Sequence, residues 1–68
     1  MSVAKVIEII STSATSFDDA VTQGIAKASE TISGIAGARV QDQSVEISNG
    51  KVTAYKVTLK LTFVLKSN

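Results

Sequence analysis

Of the six carboxylates in the chain, five invite a chemical reading, and they fall into two groups. Asp18 and Asp19 are adjacent. Glu8, Asp42 and Glu46 lie in segments whose composition reads as β-strand. The chemistry open to such groups is cation binding. A calcium ion takes about six oxygens, and an EF-hand loop supplies them at fixed spacing around a central glycine. Nothing around Asp18 and Asp19 matches that spacing. Their position just after Ser16 instead suits the first turn of a helix, where the helix dipole favours negative charge. Glu8, Asp42 and Glu46 are too far apart in sequence to form a local site. They have two readings: surface and inter-subunit ion pairs, or an ion site assembled with symmetry mates, because a threefold axis triples each carboxylate.

Other chemistry is largely excluded by composition. The chain has no histidine and no cysteine, so it lacks the commonest general base, the commonest transition-metal ligand and any thiolate. Serines and threonines are plentiful, but no recognisable base stands near them, and no enzyme is expected. Lys56, Lys60 and Lys66 form a basic stripe near Tyr55 and Phe63. A single-stranded RNA platform needs aromatics and cations on one face. Here the aromatics fall on odd positions and the lysines on even ones, so the stripe reads as a solvated or interface surface. The net charge of +1 adds no case for nucleic acid.

The elements that must carry these residues follow from periodicity. Val3 to Thr12 is short and β-branched, which predicts strand 1. Ser16 followed by Asp19 resembles a capping box. From Phe17 the apolar residues Ala20, Val21, Gly24, Ile25, Ala28 and Ile32 recur at helical spacing. This predicts a helix of roughly 18 residues, ended at Ser33-Gly34 by the usual C-terminal glycine. Gly24, in its middle, costs about 1 kcal/mol against alanine and suggests close approach to the sheet. Ile35 to Ala38 reads as a connector and Arg39 to Ser48 as strand 2. Val40 falls on one parity while Val45 and Ile47 fall on the other, so a β-bulge near Gln43 is expected. Asn49-Gly50 signals a two-residue hairpin. Strand 3 then runs from Lys51 to about Lys66, with apolar Tyr55, Val57, Leu59, Leu61, Phe63 and Leu65 alternating with mainly polar residues.

The expected fold class is α+β: a single β-α-β-β domain over residues 1–68, with a three-stranded antiparallel sheet of order 1-3-2 partly wrapping one helix. A right-handed crossover through the helix joins strands 1 and 2. A strand of about 15 residues spans roughly 50 Å, whereas an 18-residue helix covers about 27 Å. The sheet therefore overhangs its helix and leaves one face and two edges open. At 68 residues such a domain needs a staple. With disulfides excluded, partner subunits are the remaining choice. No signal peptide or membrane span is recognised, which makes a cytoplasmic protein the expectation.

Taken in order, Lys5-Val6-Ile7-Glu8-Ile9-Ile10-Ser11-Thr12-Ser13, the helix, the Asn-Gly hairpin and Val57-Thr58-Leu59-Lys60-Leu61-Thr62-Phe63 resemble the dodecins along nearly the whole chain. The resemblance implies a hollow homododecamer, and in many members flavin binding. Flavin-binding dodecins carry a tryptophan before strand 2, in a pattern like D-W-F-E-V. The matching stretch here is Ala36-Gly37-Ala38-Arg39-Val40, with Gly37 in place of the ring that stacks on the flavin. Their flavin-bonding glutamine is matched by Lys56. Arginines that hold coenzyme phosphates in some relatives, in patterns like I-R-G and F-R-L, are absent from Gln43-Ser44-Val45 and Phe63-Val64-Leu65. Stacking on an aromatic face contributes about 1–3 kcal/mol per ring. A lysine donates but cannot accept from the flavin ring N–H, and two lysines facing each other across a twofold would repel. Tight flavin binding is therefore disfavoured. The Ala38-Arg39-Val40 stretch is similar to a Trp-less branch that includes calcium dodecins. This moves the expected cofactor toward calcium, with Glu8, Asp42 and Glu46 as candidate ligands.

Overall fold

In a computed structural model, residues 3–65 are described. The element order is β1 (Val3–Ser13), α1 (Phe17–Ser29), β2 (Ile35–Ser48) and β3 (Lys51–Leu65). The sheet has the order β1-β3-β2, and both outer strands pair antiparallel with β3. The expected β-α-β-β topology and 1-3-2 order are therefore what the chain adopts. Lys66, placed in strand 3 and in the basic stripe by the sequence, lies outside the described residues.

The alternation in β3 explains where the core sits. Val57, Leu59 and Leu61 are fully buried together with Ala20 of α1. Phe17, Val21, Ile25 and Ala28 of the helix, Ile7 and Ile9 of β1 and Ile35 of β2 pack around them. Fully burying side chains of this kind contributes about 1.5–3 kcal/mol each. Gly24 is buried as the sequence suggests. A Cβ built on it would meet Ser11 Cβ at 2.8 Å and Leu59 Cδ1 at 3.5 Å, so the missing methyl is what lets α1 lie this close to β1.

The start of the helix differs from a plain capping box. Ser16 Oγ accepts from the Asp19 N–H at 2.9 Å, as expected. The Asp19 carboxylate, however, does not return to the Ser16 backbone. It accepts from Ser13 Oγ at 2.6 Å, and that hydroxyl in turn accepts from the N–H groups of Thr15 and Ser16 at 2.9 and 3.4 Å. Ser13 is the buried polar residue among those described, and its hydroxyl ties the end of β1 to the start of α1. Nearby, Phe17 and Tyr55 meet edge-to-face with ring centroids 5.1 Å apart.

Three expectations need correction. First, the helix has 13 residues rather than about 18, or about 20 Å at the usual rise. Its last turn tightens, with Glu30 N–H donating to Lys27 O and Thr31 N–H to Ala28 O. The apolar stripe continues to Ile32 only as packed irregular chain. Gly34 does not cap the helix: its φ of +80° turns the chain into β2, and its carbonyl accepts from Val64 N–H at 3.1 Å. Second, Ile35 to Ala38 is not a connector, because pairing with β3 begins at Ile35. Third, the bulge expected near Gln43 lies between Val40 and Asp42, so Gln41 is the extra residue, and further irregularities fall between Ile35 and Gly37 and between Glu46 and Ile47. The hairpin itself is as read: Asn49 and Gly50 have φ of 52° and 75°, the signs of a type I′ turn.

The overhang is larger than expected because the helix is shorter. The longest dimension is 55 Å. Val40, Val45, Ile47 and Val52 face the helix side yet lie beyond its reach and stay exposed, while Val6 and Ile10 are exposed on the opposite face.

Candidate functional site

Residues directly opposite one another in an antiparallel sheet share a face, so the register sorts the candidate residues. Val57, Leu59 and Leu61 define the helix side. Opposite the even positions of β3 stand Thr12 and Ser44 at Lys56, Ile10 and Asp42 at Thr58, Glu8 and Arg39 at Lys60, and Val6 and Gly37 at Thr62. Glu46 stands opposite Ala54. All five residues singled out by the sequence (Glu8, Asp42, Glu46, Gly37 and Lys56) therefore lie on the same face of the sheet, the one turned away from α1. The bulge at Gln41 puts both parities of β2 on this face, odd-numbered Gly37 and Arg39 before it and even-numbered Asp42 and Glu46 after it.

A shared face does not bring them into one site. The rows of Gly37 and Lys56 lie six positions apart along β3, on the order of 20 Å at the usual rise. Glu8 is on β1 and Asp42 on β2, with β3 between them. Among the described residues no three carboxylates gather closely enough to hold a metal ion. The ion pair found among them is Lys27–Glu30 at 3.4 Å, which is solvent-exposed on the helix and contributes little. Among the described residues the carboxylates and cations of the sheet face thus stand in rows without contact at 4 Å.

The surroundings of each position are consistent with an open surface. A Cβ on Gly37 would meet nothing within 4 Å, so the position has room for a ring and supplies none. Lys56, Thr58, Lys60 and Thr62 are half-buried by neighbouring strands, whereas Glu8, Arg39, Asp42 and Glu46 are exposed. Asp18 is exposed and Asp19 is engaged by Ser13, both in the first turn of α1 where the sequence put them. Tyr55 packs against Phe17 on the helix side, and Lys56 and Lys60 lie on the other face, as their parity predicts. Arg39 was not singled out as a ligand from sequence. Only the register shows that it stands beside Lys60 on the carboxylate-bearing face. Among the described residues no helix is long and apolar enough to cross a membrane.

Comparison with known proteins places these features in a family. The sequence model of the Dodecin family matches residues 3–66. A curated calcium dodecin of Mycobacterium tuberculosis is 39% identical over 67 residues, covering 97% of this chain and 93% of that protein. The solved dodecin of Streptomyces coelicolor superposes with a TM-score of 0.92 at 30% identity, over 98% of this chain and 96% of that one. A solved calcium dodecin of M. tuberculosis, described as calcium-chelating with a novel calcium-binding site, superposes with a TM-score of 0.81 at 33% identity, over 97% of this chain and 94% of that one.

Proposed function

The chain belongs to the dodecin family, and from that premise we propose that it is a non-enzymatic subunit of a hollow homododecamer that binds or sequesters a small ligand or cation, with calcium-type binding favoured over tight flavin binding. The observation that carries this reading is the common face of Glu8, Asp42 and Glu46, a sheet surface with no layer of its own to cover it. One chain offers these carboxylates separately. An oligomer that stacks such faces supplies the oxygens in multiples, as calcium requires.

The long uncovered sheet supports assembly. Val6 and Ile10 are 56% and 66% exposed, on a face where a monomer would leave them to water, and both edge strands are unpaired along their outer sides. The relative named for calcium supports the cation. Flavin is disfavoured because Gly37 offers no aromatic face and Lys56 replaces an amide. The test has two arms. Native mass measurement at micromolar protein is expected to give a dodecamer, and a monomer overturns the assembly. Calorimetry in chelator-stripped buffer is expected to show saturable calcium binding, and no heat at millimolar calcium overturns the cation reading.

A further inference from the structure

Past the row of Tyr55 the sheet narrows to an arm. β1 ends at Ser13, opposite Tyr55, and α1 begins beside the same row, with Phe17 against the Tyr55 ring. From there to the Asn49-Gly50 turn only β2 and β3 continue. The helix runs the other way, toward the end where Gly34 bonds Val64. A two-stranded hairpin is marginal in water unless a third strand or a helix covers it. This one carries branched apolar side chains on its helix side, Val45 opposite Tyr55 and Ile47 opposite Val52, all three aliphatics exposed.

The apolar strip continues beside the helix. Gln23, Gly24 and Lys27 border β1, so Val21 and Ile25, on the other flank of the stripe, turn toward β2. They are half-buried. The strand beside them carries Val40, opposite the buried Leu59 yet itself exposed. Val21, Ile25 and Val40 thus line an open apolar groove between α1 and β2. The dimensions of the chain show how much cover is missing. A compact chain of this length has a radius of gyration of about 11 Å, and this one has 14.1 Å. A compact monomer of 7.1 kDa exposes roughly 4100 Å², and this chain exposes 4879 Å². The excess of about 800 Å² is the area one partner buries in a standard protein interface.

We propose that the hairpin arm of one copy of this chain lies in the α1–β2 groove of another, with Val45 and Ile47 against Val21, Ile25 and Val40 of the second copy. Every copy carries both surfaces, and one chain cannot bring its own together. Ile25 lies about 12 Å along α1 from Phe17, while Ile47 lies about 10 Å beyond the Tyr55 row in the opposite direction. The inference rests on the oligomer proposed above and names the contact that builds it.

The chain has no cysteine, so an introduced pair reports without background. The experiment oxidises Ile25→Cys/Ile47→Cys and each single variant, read on a non-reducing gel beside native mass measurement. A disulfide needs Cα atoms within about 7 Å, so the two cysteines of one chain cannot join. The double variant is expected to form covalent multimers and neither single variant to do so. An assembled double variant that does not link overturns the arm contact and leaves the oligomer standing, as does equal linking by either single variant. A monomeric wild type overturns both. Ile47→Lys gives a second readout that needs no disulfide. Ile47 is exposed within one chain, so the far-UV circular dichroism should be unchanged, while the protein concentration needed for assembly rises about tenfold or more. Assembly equal to wild type overturns the proposal.

Discussion

Gly24→Ala sets a local propensity against a tertiary contact. In an exposed helix interior, alanine is favoured over glycine by about 0.8–1.0 kcal/mol. At this position the new Cβ would stand 2.8 Å from Ser11 Cβ and 3.0 Å from Ser11 Oγ. Ser11 Cβ is fixed to the backbone of β1 and cannot swing away, so α1 must shift off the sheet. Overpacking of this kind costs about 1–3 kcal/mol. The contact wins or at best breaks even, for a net loss of up to about 2 kcal/mol. For a domain of this size, each kcal/mol lowers the melting temperature by roughly 4–8 °C. Melting should be followed at fixed protomer concentration, because subunit association contributes to apparent stability. The cycle with Ser11→Gly isolates the contact. In that background the clash is gone, and Gly24→Ala should stabilise by about 1 kcal/mol. Two results refute the reasoning: Gly24→Ala more stable than wild type, or the same effect in both backgrounds.

Three further outcomes are expected. Ser13→Ala removes the acceptor of the Thr15 and Ser16 N–H groups and the donor to Asp19. It should cost about 1–3 kcal/mol in denaturant unfolding, and a loss below the measurement error contradicts the role given to that hydroxyl. Gly50→Ala, at a φ of 75° with open space around the Cβ, should cost only the backbone strain of about 1–2 kcal/mol. Gly34→Ala, at a φ of 80° with Val64 O at 3.2 Å from the new Cβ, should cost more, so the order of their melting temperatures is the check. Gly37→Trp combined with Lys56→Gln restores the stacking ring and the amide in open surroundings. It should gain about 1–3 kcal/mol of flavin binding, read as quenching of riboflavin fluorescence that the wild type does not give at sub-micromolar protein.

How much of this could be read in advance depends on the range of the interaction responsible. The period-two alternation of β3, the Asn49-Gly50 turn and the stripe from Phe17 to Ala28 are local signals. Each is set by backbone geometry and by which side chains must leave water, so strand order, core and family were legible from residue types alone. The composition also determined what this chain cannot use, since histidine and cysteine are absent throughout.

Tertiary structure decided the rest. The helix stripe continues to Ile32, yet the helix stops at Ser29, because pairing of Gly34 with Val64 pulls the chain toward β3. Gln41 is the bulged residue rather than Gln43, because register is fixed by the partner strand and not by the sequence of β2. Asp19 serves Ser13 rather than its own cap, a contact six residues away. Sequence alone could nominate Glu8, Asp42, Glu46, Gly37 and Lys56. Only the paired register could put all five on one face, because a single bulge reverses the parity of every residue beyond it.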